Sequence, residues 1–293
     1  MFVIIGIIVV FGSVAGGYVM HHGNLLVLYQ PSEFIIIGGA ALGSLIIANP
    51  MHVLKAVAAG TIGSLKGSKY TKAFYLEQLK MLNEIFVYAR KNGAAKLEAD
   101  IDEPDKSPLF QKYPKFLKDH HALEFFCDTV RMSISGGVGP FELDQLMELD
   151  MEVQHHEETV PVSALSTVAD ALPGLGIVAA VLGVVITMGA LGGPPEEIGQ
   201  KVAAALVGTF LGILMCYGLL GPVASLMTKQ VQDRAEYMQF LRLGVLGFLK
   251  GLAPSLSVEF ARRGIPTHVR PTFKETETSI KGGAAAQAQA KAA

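Results

Sequence analysis

The chain has 293 residues and a formal net charge of −2; 51% of its residues are hydrophobic and 17% are charged. The charge is balanced, with no overall excess of basic residues, and no nucleic-acid partner is expected. The hydrophobic residues are concentrated in long uninterrupted runs, which is not how a soluble domain distributes them.

Four long runs of the sequence contain no Asp, Glu, Lys or Arg. A helix rises about 1.5 Å per residue, so roughly 20 apolar residues cross a hydrocarbon core about 30 Å thick. Four buried helices of a large soluble core would need charged faces at helical spacing, and these runs have none. We therefore predict an all-α membrane protein with four transmembrane helices, at residues 1–20, 34–54, 171–191 and 202–228.

The first run is predicted to be retained as span one. No Lys or Arg precedes its apolar stretch, which is longer than the hydrophobic region of a signal peptide.

Basic residues set the predicted orientation. The turn between spans one and two has no Lys or Arg, and the turn between spans three and four has only Lys201. Of the 24 basic residues, 13 lie between spans two and three and 10 lie after Thr228. Because basic loops remain in the cytoplasm, we expect both large polar segments and both termini to be cytoplasmic. Cys127 and Cys216 then fall in a cytoplasmic segment and a span, so no disulfide is expected.

Residues 55–170 are predicted to form a helical cytoplasmic domain between spans two and three. Apolar residues recur at helical spacing from Leu79 to Ala89, and again from Leu123 to Ile134. The first of these helices should end at Asn92-Gly93, with cationic side chains in its last turn.

Glycines and prolines predict the connections in this domain. A short helix, AAKLEADI, should follow Gly93, and the proline-punctuated stretch SPLFQKYPKF should be a loop. Residues 136–140 should form a turn before a further helix. Residues 229–293 are predicted to be a cytoplasmic tail, of which the last ~12 residues are low in complexity and expected to be disordered.

The sequence contains no recognisable catalytic or metal-binding motif. GTIGSLKGS lacks the spacing of a phosphate-binding loop. Histidines occur as adjacent pairs at positions 21–22, 120–121 and 155–156. Adjacent residues on a helix point about 100° apart and do not converge on one ion. We therefore expect no enzymatic activity, no metal and no cofactor.

Spans three and four are rich in glycine and alanine, which lets helix backbones approach closely. Pro173 and Pro222 lie near the predicted inner ends of these spans, where each removes a backbone donor. From the residues alone, a static kink is the favoured interpretation and a hinge is the alternative. No Asp, Glu, Lys or Arg lies between the predicted span ends. The chain therefore either carries no ion or lines a path whose carboxylate belongs to another chain.

Three separated motifs carry a resemblance to a known family: DALPGLGIVAAVLGVVITMG, VGTFLGILMCYGLLGPVA, and ARKNGAAKLEADIDEP followed by SPLFQKYP. Together they resemble the MotA family of flagellar stator subunits over nearly the whole chain. The resemblance implies a proton-driven unit of the bacterial inner membrane, in contact with lipid, in which five such chains surround two MotB-type chains. Each MotB-type chain supplies an essential membrane aspartate, and the cytoplasmic domain acts on the rotor protein FliG.

The resemblance also implies residue roles. Pro173 and Pro222 match two prolines that couple ion flow to movement, and Thr209 matches a threonine that lines the path. Arg90 and Glu98 match a charged pair that engages FliG.

The type of ion is inferred from span three. Sodium-driven relatives have a threonine where this chain has Ala179 and Ala180, and alanine supplies no side-chain oxygen for a desolvated sodium ion. H+ is therefore the expected transported ion. Asp170 is expected either to guide protons out to the cytoplasm or to be an ordinary solvated carboxylate at a helix end.

Two alternatives remain at this point. An ExbB- or TolQ-type unit would energise outer-membrane processes with the same ion chemistry, but those chains have three spans. A membrane scaffold without conduction, or a channel that conducts alone, is a different class; the missing intramembrane carboxylate argues against conduction alone.

Overall fold

The computed structural model describes residues 2–189 and 191–290. These residues are helical, with turns between the helices and no strand among them, which confirms the all-α fold class. Fourteen α-helices and one π-helix occur in this described part. In chain order the first nine are α1 (Phe2–Met20), α2 (Leu25–Leu28), α3 (Pro31–Ala48), α4 (Met51–Ser64), α5 (Lys72–Asn92), α6 (Ala94–Asp102), α7 (Pro108–Gln111), α8 (Pro114–Leu117) and α9 (His120–Ser135). The remaining elements are α10 (Pro140–Met188), α11 (Pro195–Met215), the π-helix (Cys216–Leu220), α12 (Gly221–Leu249), α13 (Pro254–Gly264) and α14 (Phe273–Ala290).

The chain divides into two compact units. The membrane unit comprises Met1–Gly67 and Glu157–Val231, and the polar unit comprises Ser68–His156 and Gln232–Ala293. Within the described residues, four helical segments are long and apolar enough to cross a membrane, in agreement with the four predicted spans: Phe2–Met20, Leu25–Ala48, and segments of Pro140–Met188 and Pro195–Leu249.

Span two differs from the prediction at both ends. The predicted segment, residues 34–54, is interrupted where α3 ends at Ala48 and α4 begins at Met51. Asn49 is extended because the ring of Pro50 disfavours helical backbone in the residue before it. At the other end the candidate span begins at Leu25, so it includes Glu33.

The membrane unit packs mainly through α3, α4, α10 and α11. One cluster of buried residues joins Ile37 and Ala41 of α3 to Leu172 of α10 and Leu211 of α11. A second cluster joins Val53 and Val57 of α4 to side chains of α10 and α12. By contrast, α1 has no buried residue, so lipid or other chains must cover it.

The core of the polar unit is built on one face of α5. Tyr75, Leu79, Leu82 and Phe86 are at most 1% exposed, and the ring of Phe86 stacks on that of Phe248 at 4.7 Å. This face confirms the apolar stripe predicted from Leu79 to Ala89.

Two of the predicted connections are confirmed. Helix α5 ends at Gly93, whose φ of 84° is readily adopted only by glycine. Gly136 and Gly137 also have positive φ and form the turn before α10.

Two predictions differ from the structure. The stretch SPLFQKYPKF is not a loop: it contains α7 and α8, which begin at Pro108 and Pro114. Proline suits the first position of a helix, and each short helix buries a phenylalanine, Phe110 or Phe116. The tail also differs, because α14 continues through the alanine-rich stretch to Ala290; alanine has the highest helix propensity. The last three residues of the expected disordered tail, 291–293, lie outside the described residues.

Candidate functional site

Helices α10 and α11 approach each other closely through small residues. A Cβ atom placed on Gly176 would lie 2.9 Å from the carbonyl oxygen of Gly208, and one on Gly212 would lie 2.5 Å from that of Leu172. Further along, a Cβ on Gly183 would lie 2.6 Å from the Cβ of Ala205. Larger side chains at these positions would separate the helices. Gly176, Gly183 and Gly212 are therefore packing residues, as the composition of spans three and four predicts.

Pro173 lies within α10, at one end of this contact. It has no N–H, so the carbonyl of Ala169 lacks its helical donor. About one turn later, the carbonyl of Gly176 accepts a long hydrogen bond of 3.5 Å from Thr209 Oγ1. The structure thus brings Thr209 to the turn that follows Pro173, and its hydroxyl bonds across to the neighbouring helix.

Pro222 follows the π-helix Cys216–Leu220. The N–H of Gly221 donates to the carbonyl of Cys216, five residues earlier, in place of the usual four. Because Pro222 has no N–H and its ring crowds the carbonyl four residues earlier, a wide turn just before it accommodates the ring. This π-helix is not predictable from the sequence, since Pro222 signals an interruption of the helix but not its form.

Ala180 and Asp170 lie on α10, on either side of Pro173. Ala180 is half-buried, and its backbone N would lie 3.4 Å from a Cβ on Gly208, so it belongs to the α10–α11 contact. Asp170 is exposed and lies about one turn before Pro173. It does not share the glycine-lined contact.

Arg90 and Glu98 flank the corner between α5 and α6 in the polar unit. Arg90 is exposed in the last turn of α5, and its Nη2 donates to the carbonyl oxygen of Gly251 at 3.3 Å. Glu98 is half-exposed on α6, next to the buried Leu97. No ion pair joins Arg90 to Glu98 among the described residues.

A hydrogen-bonded aspartate holds this corner in place. The hydrogen bond between Tyr88 of α5 and Asp100 of α6 is the largest contribution that raises the pKa of Tyr88 above its usual value. Ser107 Oγ donates to Asp100 Oδ1 at 2.6 Å. Because the Tyr88–Asp100 hydrogen bond and the burial of Leu97 hold α6 against α5, Arg90 and Glu98 project from a defined surface.

Glu33 is a candidate site residue that is not among those predicted from the sequence. It lies in the first turn of α3, is 6% exposed, and its Oε2 atom is buried without a hydrogen-bond partner among the described residues. The candidate span Leu25–Ala48 begins before Glu33, so the expectation that no acidic residue lies within the spans is wrong for span two. Its sequence signal was available: Glu33 is the only acidic or basic residue between Met1 and Leu54 apart from histidine.

Within the described residues, no group of three or more His, Cys, Asp or Glu side chains could hold a metal ion. The membrane unit instead offers a glycine-lined helix pair, two prolines in or beside that pair, and one buried carboxyl group. This combination of four spans and a buried titratable group is typical of membrane proteins that conduct ions.

Comparison with known families agrees with this class. A model described as Motility protein A N-terminal matches residues 4–93, and a model of the MotA/TolQ/ExbB proton channel family matches residues 118–239. The chain belongs to the MotA/TolQ/ExbB proton channel family.

Curated relatives and solved structures match nearly the whole chain. Motility protein A of Escherichia coli (strain K12) is 40% identical and covers 96% of this chain and 95% of that protein. Chemotaxis protein LafT of Vibrio parahaemolyticus is 37% identical, with 93% and 96% covered. A chain of the C. jejuni MotAB structure has the same fold, with a TM-score of 0.75 at 19% identity over 92% of this chain and 98% of that one. A chain of the flagellar MotAB stator complex from Bacillus subtilis has a TM-score of 0.69 at 25% identity, with 87% and 92% covered.

Proposed function

We propose that the chain is a stator subunit of the bacterial flagellar motor that, with a MotB-type partner, conducts protons and couples their flow to rotor torque. The observation that carries the proposal is the α10–α11 pair, in which small residues line a close contact that ends beside Pro173. Relatives named Motility protein A and structures titled MotAB support the same function.

The exposed surface of α10 supports a partner inside the membrane. Ile177, Val181, Val184 and Val185 are each more than half exposed in the single chain. Residues 171–188 contain no carboxylate, so the essential acid of the path comes from the partner helix. In this proposal five copies of the chain surround two MotB-type chains, and their α10 and α11 helices face the partner.

The proposed ion is the proton. Ala179 and Ala180 offer no side-chain oxygen at the level where a sodium ion would need ligands, and the hydroxyl of Thr209 is directed at a backbone carbonyl. Exposed Asp170 accepts protons that leave the path toward the cytoplasm. Pro173 and Pro222 act as hinges that convert ion flow into movement.

The proposed orientation places both termini and the polar unit in the cytoplasm, as the distribution of basic residues predicts. Arg90 and Glu98 then engage the rotor protein FliG from the corner between α5 and α6. The exposure of Arg90 and the half-exposure of Glu98 support this contact.

An ExbB- or TolQ-type energiser of outer-membrane processes belongs to the same family. The match of residues 4–93 to the Motility protein A N-terminal model and the four candidate spans favour the stator over that alternative.

The decisive experiment follows swimming speed in cells whose only stator consists of this chain and a MotB-type partner. Collapsing the proton gradient should stop swimming, whereas removing the sodium gradient should leave the speed unchanged. Cells that keep swimming without a proton gradient and stop without sodium would contradict the proposed ion.

A further inference from the structure

A carboxyl group is enclosed within the membrane unit at Glu33. The residue is 6% exposed, and Oε2 has no hydrogen-bond partner among the described residues. The candidate span Leu25–Ala48 contains no other acidic or basic residue. An ionised carboxylate without a partner is costly in an apolar environment, so such a group takes up a proton, a cation or an ion-pair partner.

The carboxyl group occupies a notch that glycine leaves open. A Cβ atom on Gly208 would lie 2.5 Å from Glu33 Oε2 and 3.0 Å from the Cβ of Ala179. The carboxyl group of α3 therefore reaches the line where α10 and α11 meet. Any side chain at position 208 would displace it.

This notch lies far from the turn between spans three and four. Gly208 is 13 residues after Pro195, the first residue of α11, and Ala179 is nine residues before Met188, the last residue of α10. At 1.5 Å per residue these separations correspond to about 20 Å and about 14 Å. Although Glu33 lies in the first turn of α3, its carboxyl group lies beside residues well inside α10 and α11.

Among the described residues, no acidic or basic side chain of a neighbouring helix hydrogen-bonds to Glu33 Oε2. The nearest such residue is Asp170 along α10 and Lys201 along α11, each more than one turn away from the notch. His52 and Lys55 of α4 follow the far end of α3, and α2 has no ionisable residue. Gly208 and Ala179 supply no side-chain oxygen, so a metal cation would find no further side-chain ligand from these two residues. A proton needs only the carboxylate.

We propose that Glu33 is a proton-binding site of this chain inside the membrane, and that it takes up and releases a proton as protons pass along α10 and α11. This inference rests on the proposed function.

The test uses the full chain with a MotB-type partner in lipid vesicles. Infrared difference spectra between acidic and alkaline pH detect the carbonyl stretch of a protonated carboxyl group. Glu33→Gln removes this group while keeping its size. We expect a titrating band in the wild-type complex that is missing from the Glu33→Gln complex, and a proton flux reduced by about tenfold or more at unchanged partner association.

Two further variants control the experiment. Glu33→Asp keeps an ionisable group, so it should keep a band and part of the flux. Gly208→Ala fills the notch and should shift the band without removing it. If Glu33→Gln does not assemble, the Glu33→Asp spectrum decides: a shifted band supports the proposal and an unshifted band contradicts it.

The proposal is overturned if Glu33→Gln has the wild-type spectrum or conducts protons at the wild-type rate. A wild-type complex without any proton flux would instead overturn the proposed function. The infrared band would still show, in that case, whether Glu33 binds a proton.

Discussion

Arg90 and Glu98 lie on either side of Gly93, the glycine that ends α5. The Tyr88–Asp100 hydrogen bond and the burial of Leu97 hold α6 against α5, so a charge change at position 90 or 98 should alter the surface and leave the core intact. Arg90 also contacts the carbonyl of Gly251, which a carboxylate in its place would repel. Single charge substitutions at this corner therefore test the proposed contact with the rotor.

Reversing either charge, by Arg90→Glu or Glu98→Lys, should weaken swimming. The loss should be partial because an exposed ion pair contributes only about 0–1 kcal/mol and is screened by salt. A complementary reversal on FliG should restore part of the swimming speed. Lys91→Glu, the same reversal one residue from Arg90, is the matched control and should have less effect. Normal swimming of the double reversal, together with no compensating change on FliG, would rule out this contact.

At the scale of the helix, glycine substitutions in α10 test whether its backbone contact with α11 stabilises the membrane unit. Gly176→Ala should destabilise the purified chain in detergent by about 1–3 kcal/mol, because the new Cβ would overlap the carbonyl of Gly208. Gly174→Ala, two residues away on the same helix, is the matched control, since its Cβ would meet nothing within 4 Å.

Thermal unfolding of the two variants provides the measurement. Alanine is the better helix former by about 0.5–1 kcal/mol, so Gly174→Ala should be neutral or slightly stabilising. Equal unfolding temperatures for the two variants would mean that α10 and α11 are not in backbone contact.

Replacing Pro173 or Pro222 tests whether the helices move at these prolines. Each removes a backbone donor, and Pro222 is accommodated by a π-helix, a form that often marks functional positions. If the bends act as hinges, Pro173→Ala and Pro222→Ala should reach the membrane and bind the partner at wild-type levels but fail to swim. Pro161→Ala, within the same helix as Pro173, should swim normally.

Membrane protein level and partner co-purification, measured beside swimming, separate a hinge from a static bend. A static bend predicts that lost motility follows lost protein. Normal swimming of both hinge variants would equally contradict a hinge.

The sequence predicts elements best where one periodic pattern decides the structure. The buried stripe of α5 and its stop at Gly93 follow directly from residue spacing, as do the four apolar spans. The π-helix before Pro222 is not predictable in this way, because proline excludes a normal helical bond but does not select its replacement. Glu33 was missed for a related reason: a charge beside an apolar run is taken as its boundary, and only packing against Gly208 shows that it is inside.

At the scale of the whole molecule, exposed apolar surface indicates how the chain functions. No residue of α1 is buried, and α10 exposes a row of branched aliphatic side chains that its own chain does not cover. Exposing such extended apolar patches to water is unfavourable, and patches of this kind mark contacts with lipid or with other chains. The membrane unit therefore has the surface expected of one part of an assembly.

The final prediction concerns conduction by the chain alone. Expressed without a MotB-type chain, it should conduct few protons, because residues 171–188 contain no titrating group and the enclosed carboxyl group of Glu33 does not form a continuous path by itself. Co-expression with the partner should restore conduction, measured as acidification of the cytoplasm when external pH is lowered. A partner whose membrane aspartate is replaced by asparagine is the matched control, since it keeps the helix and removes the charge. Strong acidification by the chain alone, or with the asparagine partner, would show that the path does not depend on a second chain.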